Sequence, residues 1–138
     1  MEHTAALSFE MPQNACNAHL HIIDPAFPND GKAAAQAGTV EDYAGIARRF
    51  SLPRAVFVQA KPFGLDNACL LDAIARFGAG SPRGIAVLNS TVSDQKLEWL
   101  HARGVRGLRF SVWNPENAVV SFDDCLPLAR RIQHLGWN

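Results

Sequence analysis

The feature that most constrains this chain is an alternation repeated four times between Ala18 and Gly136: a short apolar run, then a helical pattern. Strands alternating with helices are joined by right-handed crossovers and build a parallel sheet, either doubly wound or closed into a barrel. The first strand is predicted over Ala18–Ile23 and leads into a long loop rich in Pro, Gly and Ala. A helix is expected from Thr39 to about Phe50, with Thr39 and Asp42 spaced as a capping box and Val40, Tyr43, Ala47 and Phe50 on one buried face. Ala55–Ala60 is the near-continuous apolar run of a strand covered on both faces. Asp66 is placed to cap the second helix, Leu70, Ala73, Ile74 and Phe77 form its inner stripe, and Gly78 stops it. Strand Gly84–Leu88, a helix from about Ser93 to Arg103, and strand Val105–Val112 follow. Ser121 and Asp124 start a last helix expected to bury Phe122, Cys125, Ala129, Ile132 and Leu135.

No glycine-rich dinucleotide turn follows the first strand, so the barrel is the better reading of the repeat. A closed (β/α)₈ barrel takes about 250 residues, and this chain has 138. The expected fold is therefore α/β, of TIM-barrel type, comprising the first four β/α units. Residues 1–14 are expected as an N-terminal arm and residues 15–138 as the half barrel. Trp137 and Asn138 fall where a fifth strand would begin. Raw sheet edges and a bare apolar face are costly in water, so self-association through the open edges is expected of the isolated chain.

Composition narrows the partners. Thirteen Lys and Arg balance thirteen Asp and Glu, and no basic stripe is present, which argues against nucleic acid. No apolar run approaches the roughly 20 residues that cross a bilayer, and Met1–Asn14 lacks the layout of a secretory signal, so no membrane association and a cytoplasmic location are expected. Cys16, Cys69 and Cys125 are odd in number and far apart, without the close pairs of a zinc or redox motif, and are expected to be reduced, mostly buried thiols.

On a strand, His19 and His21 project to one face while Leu20 and Ile22 project to the other. Two imidazoles inside an apolar strand are costly to bury without a purpose, and such a pair can polarise a carbonyl or ligate a metal. Gln59, Lys61 and Asn67 stand at and just beyond the end of the second strand, where barrel enzymes keep their sites. In the fourth strand Leu108 and Phe110 share a face, leaving Gly107, Arg109 and Ser111 on the other. A guanidinium at Arg109 suits a two-pronged grip on a substrate carboxylate. Arg106 has the opposite parity and is expected on the surface or between helices.

The His-x-His strand, Val56-Phe57-Val58-Gln59 with Gly64-x-Asp66-Asn67, Arg83-Gly84-Ile85-Ala86-Val87, and Gly104-Val105-Arg106-Gly107-Leu108-Arg109-Phe110 occur in order. Together they resemble the amidohydrolase-related TIM-barrel hydrolases of the 2-pyrone-4,6-dicarboxylate lactonase and D-galactarolactone isomerase kind, over almost everything from Ala15 to Asn138. The resemblance implies a hydrolase acting on a carboxylate-bearing lactone, with His19 and His21 as the catalytic pair on the carbonyl. It places Arg109 on a substrate carboxylate, with Gln59, Lys61 and Asn67 as further substrate-binding candidates. It implies no cofactor; the alternative is a divalent metal such as zinc held by His19 and His21. Asn17 stands where such motifs carry Asp, and no second arginine follows Arg109 in Ser111-Val112-Trp113-Asn114-Pro115. The later strands that would bring a catalytic Asp are absent from the sequence, and none of Asp24, Asp30, Asp66 and Asp94 is assigned that part. The isolated chain is therefore expected to lack turnover; a non-catalytic half-barrel module that pairs with itself or with a complementary chain is the competing expectation.

Overall fold

The computed structural model describes residues 8–78, 80–114, 116 and 118–138. Its strands are β1 Cys16–Leu20, β2 Arg54–Val58, β3 Arg83–Ala86 and β4 Val105–Leu108, hydrogen-bonded in that order and parallel throughout. The helices between and after them are α1 Val40–Arg49, α2 Ala68–Phe77, α3 Asp94–Ala102 and α4 Cys125–Ile132. The α/β alternation is as the sequence predicts. Of the predicted arm, residues 1–7 lie outside the described residues; Glu10–Gln13 run beside α1 and the turn before β2, walling a groove of about 560 Å³ with Ala44, Leu52 and Phe77.

One face of the sheet is dry. Ala55, Phe57, Ala86 and Val105 meet the buried stripes of the helices in a single core with Val40, Tyr43, Leu70, Ala73, Phe77, Leu97, Leu100, Leu128 and Ile132. At its centre Phe57 is fully buried, edge-on to Tyr43 and Phe77 with ring centroids 6.0 and 5.5 Å away. Local signals set the helix starts. Thr39 and Asp42 form the predicted capping box, Ser93 accepts the Lys96 N–H, and Gly78 ends α2 at φ 72°.

Three expectations change. The strands are shorter than predicted at their C-terminal ends, β4 most of all, stopping at Leu108 rather than Val112. Asp66 takes the Ala68 N–H but lies one residue before the helix cap, Asn67, whose own side chain makes no capping bond. In α4 the buried residues are Leu128 and Ile132, while Phe122 is 76% exposed. Residues Phe122–Asp124 form a 3₁₀ turn closed by a Ser121–Asp124 capping box, and its three-residue period puts Phe122 out of phase with the helix that follows.

The sheet continues past β4. Asn138 donates its N–H to the Arg106 carbonyl at 3.0 Å and accepts the Leu108 N–H at 2.9 Å, the bond pair of a parallel rung. Gly107 allows this approach, because a Cβ there would lie 2.6 Å from the Asn138 carbonyl oxygen. Trp137 is buried beside it, donating its indole N–H to His101 Nδ1 at 2.8 Å.

Candidate active site at the strand ends

The face of the sheet away from the core carries a hollow of about 530 Å³ lined by His19, Val56, Val58, Ile85, Arg106 and Arg109, among others. What brings polar groups to its C-terminal rim is the way the ladder ends. The last paired residues of β2 and β3 are Val58 and Ile85, and one further rung forms from the Gln59 N–H to the Ile85 carbonyl. The next rung of a regular parallel ladder would take the Val87 N–H to the Gln59 carbonyl. Instead Asn67 intervenes. Its Oδ1 accepts the Val87 N–H at 3.0 Å and its Nδ2 donates to the Val87 carbonyl at 2.9 Å, so a side-chain amide takes the place of a strand. The Gln59 carbonyl is thereby released to accept Arg109 Nη1 at 3.0 Å.

The same happens on the other side of β2. A bulge inserts an extra residue in β1 between Asn17 and Leu20, and β1 ends at Leu20. Where a longer strand would offer a backbone N–H, the Val58 carbonyl bonds His21 Nδ1 at 2.8 Å. A carbonyl only accepts, so Nδ1 carries the proton and Nε2 of the neutral ring is left as the free acceptor. The His19 and His21 rings meet edge to face at 5.2 Å, both exposed. The predicted convergence of the pair is therefore present, though a bulge and a strand end produce it rather than uninterrupted alternation.

The remaining predicted positions separate. Arg109 lines the hollow with His19; Phe110 packs against the core, and Leu108 is buried in the core while also reaching the floor of the hollow. Gln59 is 1% exposed; its Nε2 donates to the carbonyls of Asp66 at 2.7 Å and Gly64 at 3.2 Å, which pins the loop before α2. Asn67 is 7% exposed and is engaged with Val87 and Leu65 as described. Lys61 is exposed in a separate rim cleft of about 680 Å³ with Asp30, Lys32, Asp66 and Glu116. Arg106 corrects its expectation: the bulge opposite Gly84 and Ile85 makes it the extra residue of β4, and it lines the hollow.

The cysteines are all free, but only Cys69 is buried; Cys16 is exposed and Cys125 intermediate. Burial pushes the Cys69 thiol up, and the Tyr43 phenol likewise, so neither is primed as a nucleophile or base. Among the described residues no group of three or more His, Cys, Asp and Glu side chains is placed to hold a metal, and none of the carboxylates hydrogen-bonds either imidazole. Sequence reasoning missed the part played by the Val58 carbonyl, since a backbone acceptor leaves no residue signature. It also missed Arg83, which lines the same hollow and whose period-two relation to Ile85 was a usable signal.

Parallel β/α units with a dry helix-covered face define half of a (β/α)₈ barrel, and the candidate residues His19, His21 and Arg109 lie at the strand ends where such barrels carry their sites. The chain belongs to the amidohydrolase family, whose sequence pattern matches residues 16–138. It is 35% identical to the 2-pyrone-4,6-dicarboxylate hydrolase of Comamonas testosteroni, over 94% of this chain and 44% of that protein. It is 32% identical to the 4-sulfomuconolactone hydrolase of Rhizobium radiobacter, over 87% of this chain and 41% of that one. Among solved structures it superimposes on an Agrobacterium tumefaciens protein with a TM-score of 0.79 at 19% identity, covering 93% of this chain and 47% of that one. A probable 2-pyrone-4,6-dicarboxylic acid hydrolase from Acinetobacter baumannii with citric acid bound gives a TM-score of 0.69 at 21% identity, covering 91% and 48%. The chain thus spans less than half the length of the relatives it matches, and corresponds to their N-terminal half.

Proposed function

We propose that this chain carries the carbonyl-activating and carboxylate-gripping side of a hydrolase acting on a small carboxylate-bearing lactone. The observation that carries the reading is the gathering of His19, His21 and Arg109 at one rim, with His21 and Arg109 held by the adjacent carbonyls of Val58 and Gln59. The named relatives, which hydrolyse a pyrone dicarboxylate and a sulfomuconolactone, support the substrate class.

Arg109 spends one N–H on Gln59 and keeps the rest of its fork for a carboxylate. When water adds to the lactone carbonyl, negative charge develops on its oxygen, and N–H donors preset around that oxygen stabilise it. Because Val58 fixes the His21 proton on Nδ1, His21 donates to the carbonyl through Nε2 only as the imidazolium; the neutral ring serves as an acceptor. Collapse of the adduct breaks the ring C–O bond, giving a new carboxylate and releasing the ring oxygen, which takes up a proton as a hydroxyl or enol. Among the described residues no carboxylate hydrogen-bonds His19 or His21, so no base for the attacking water is assigned among them, and little or no turnover is expected of the isolated chain.

The Nδ1–carbonyl bond also favours a second reading, since metal-bound imidazoles are commonly oriented in this way by a carbonyl behind them. Two imidazoles fall short of the three protein ligands of a catalytic zinc, so His19 and His21 would hold such an ion only with donors from elsewhere.

The test is a chimera in which residues 16–138 replace the matching segment of the Comamonas hydrolase, assayed on 2-pyrone-4,6-dicarboxylate. Hydrolysis is expected, with a drop of at least 100-fold on His21→Ala and a mainly KM-borne loss on Arg109→Met. Titrating the 138-residue chain itself with the pyrone, followed by NMR of the imidazole and guanidinium groups, should shift His19, His21 and Arg109. A folded chimera that ignores both substitutions, or a titration that moves none of the three, refutes the reading.

A further inference from the structure

Among the described residues three imidazoles hydrogen-bond through a ring nitrogen, and they respond differently to a second proton. His21 donates its Nδ1–H to the Val58 carbonyl, a bond that the protonated ring keeps. His134 faces Glu98 through Nε2 at 3.2 Å, a pair that a proton on His134 strengthens. His101 is the reverse case. An indole N–H only donates, so the 2.8 Å bond from Trp137 Nε1 requires His101 Nδ1 to be bare, with the proton of the neutral ring on Nε2. Turning the ring over does not evade this, because both nitrogens of an imidazolium are donors. The two rings lie 9° from coplanar, as an in-plane N–H···N bond needs.

What this bond holds is the outer side of β4. Trp137 is buried, and Asn138 beside it makes both bonds of the rung with Arg106 and Leu108. Arg106 Nη1 in turn donates to the His101 carbonyl at 2.6 Å, so α3, β4 and the segment reaching β4 are tied together at His101. We propose that His101 and Trp137 form an acid-loosened latch, which at neutral pH holds the Asn138 rung against β4 and on protonation of His101 lets that rung open. The inner ladder is untouched, because the Arg109 N–H bonds the Ala86 carbonyl on the other side of β4. A proton taken up on α3 thus turns β4 from an internal strand into an edge strand at Leu108, the residue before Arg109. The charged groups around the ring are engaged elsewhere. On α3, Glu98 is held by His134, and Arg103 Cζ lies 3.7 Å from the centre of the Trp99 ring. On α4, Arg131 is paired with Asp94, and on β4 Arg106 bonds the carbonyls of His101 and Val105. Among the described residues none of these groups hydrogen-bonds the His101 ring, which leaves Trp137 as its polar partner. Trp137 remains part of the apolar core, so the latch loosens rather than detaches.

Amide hydrogen exchange of the 138-residue chain tests this at about pH 7.5 and about pH 5.5, on either side of the range where imidazoles titrate, with rates corrected for the intrinsic exchange at each pH. Protection of the Leu108 amide is expected to fall about tenfold in acid while that of Phe57 holds, and the NMR signal of the Trp137 indole N–H should move over the same range. His101→Asn keeps an acceptor near the Nδ1 position that does not titrate, and Trp137→Phe removes the donor. Both should erase the pH dependence, the first with Leu108 protected at both values and the second with it poorly protected at both. If His101→Asn does not fold, Trp137→Phe alone carries the comparison. Wild-type protection that is the same at both values overturns the proposal, as does an acid loss that persists undiminished in either variant. His134→Gln removes the other imidazole nearby and should leave the acid loss in place; its disappearance there overturns the proposal too. None of these results depends on lactone turnover, so this inference and the proposed function fail separately.

Discussion

Asn67 offers the sharpest separation between a binding residue and a structural one. Replacing it by Ala removes the amide that stands in for a strand beside Val87, leaving a buried N–H and a buried carbonyl without their partners. An unsatisfied buried group costs about 1–3 kcal/mol, so the pair brackets the loss at about 2–6 kcal/mol. At about 4 °C per kcal/mol for a domain of this size, the midpoint of thermal unfolding should drop by about 8–24 °C. Asn67→Asp keeps the acceptor for the Val87 N–H but turns an anion toward the Val87 and Leu65 carbonyls. It should be at least as damaging at neutral pH and recover part of the loss in acid, where the carboxyl protonates and regains a donor. Urea titrations of the three proteins at pH 7 and pH 4 give the comparison. A loss below about 0.5 kcal/mol for Asn67→Ala, or an Asp variant insensitive to acid, would show that Val87 does not depend on this side chain.

Three further outcomes test other parts of the fold. Phe57→Ala empties the aromatic centre of the core and should cost about 3–5 kcal/mol in urea unfolding, whereas Phe57→Leu should cost distinctly less. Hydrogen bonds from Ser90, then Ser121, hold the Asp124 carboxyl at about 2, below its ordinary 3.8. A depressed pKa stabilises the fold above 3.8 and loses that contribution as pH falls toward 2. The gap in melting temperature between wild type and Asp124→Asn should therefore be constant above pH 5 and close between pH 4 and 2. Gly107→Ala should displace Asn138, read as faster hydrogen exchange at the Leu108 amide with little change at Phe57.

What the sequence disclosed was local chemistry. The Thr39–Asp42 and Ser121–Asp124 boxes are three-residue relations that need no knowledge of the rest of the chain, and both are present. The proximity of His19 and His21 and the turn of Arg109 into the same hollow also survive, although a bulge in β1 and the ends of β1 and β4, rather than strand parity, produce them. Hidden from it were the places where strands stop pairing. Whether the Gln59 carbonyl meets Val87 or Arg109 depends on Asn67 arriving from the next helix, and whether Val58 meets a backbone N–H or an imidazole depends on a bulge in β1. Gln59 and Asn67 look like rim residues in the sequence for the same reason that they are buried: polar groups at strand ends are as apt to replace missing rungs as to face a ligand. The phase of α4 was lost to a single 3₁₀ turn, which no helical periodicity encodes.

Because Val58 and Gln59 are neighbours, the tethers of His21 and Arg109 are one residue apart on a single strand, about 3.3 Å along its axis. β2 thus acts as a gauge block, and the distance between the two groups is inherited from backbone covalent geometry rather than from how tightly β1 and β4 happen to be packed. Changes in the surrounding loops can alter what reaches the pair without detuning it, whereas one residue inserted or deleted in β2 ahead of Val58 would turn both carbonyls toward the opposite neighbours and release His21 and Arg109 together.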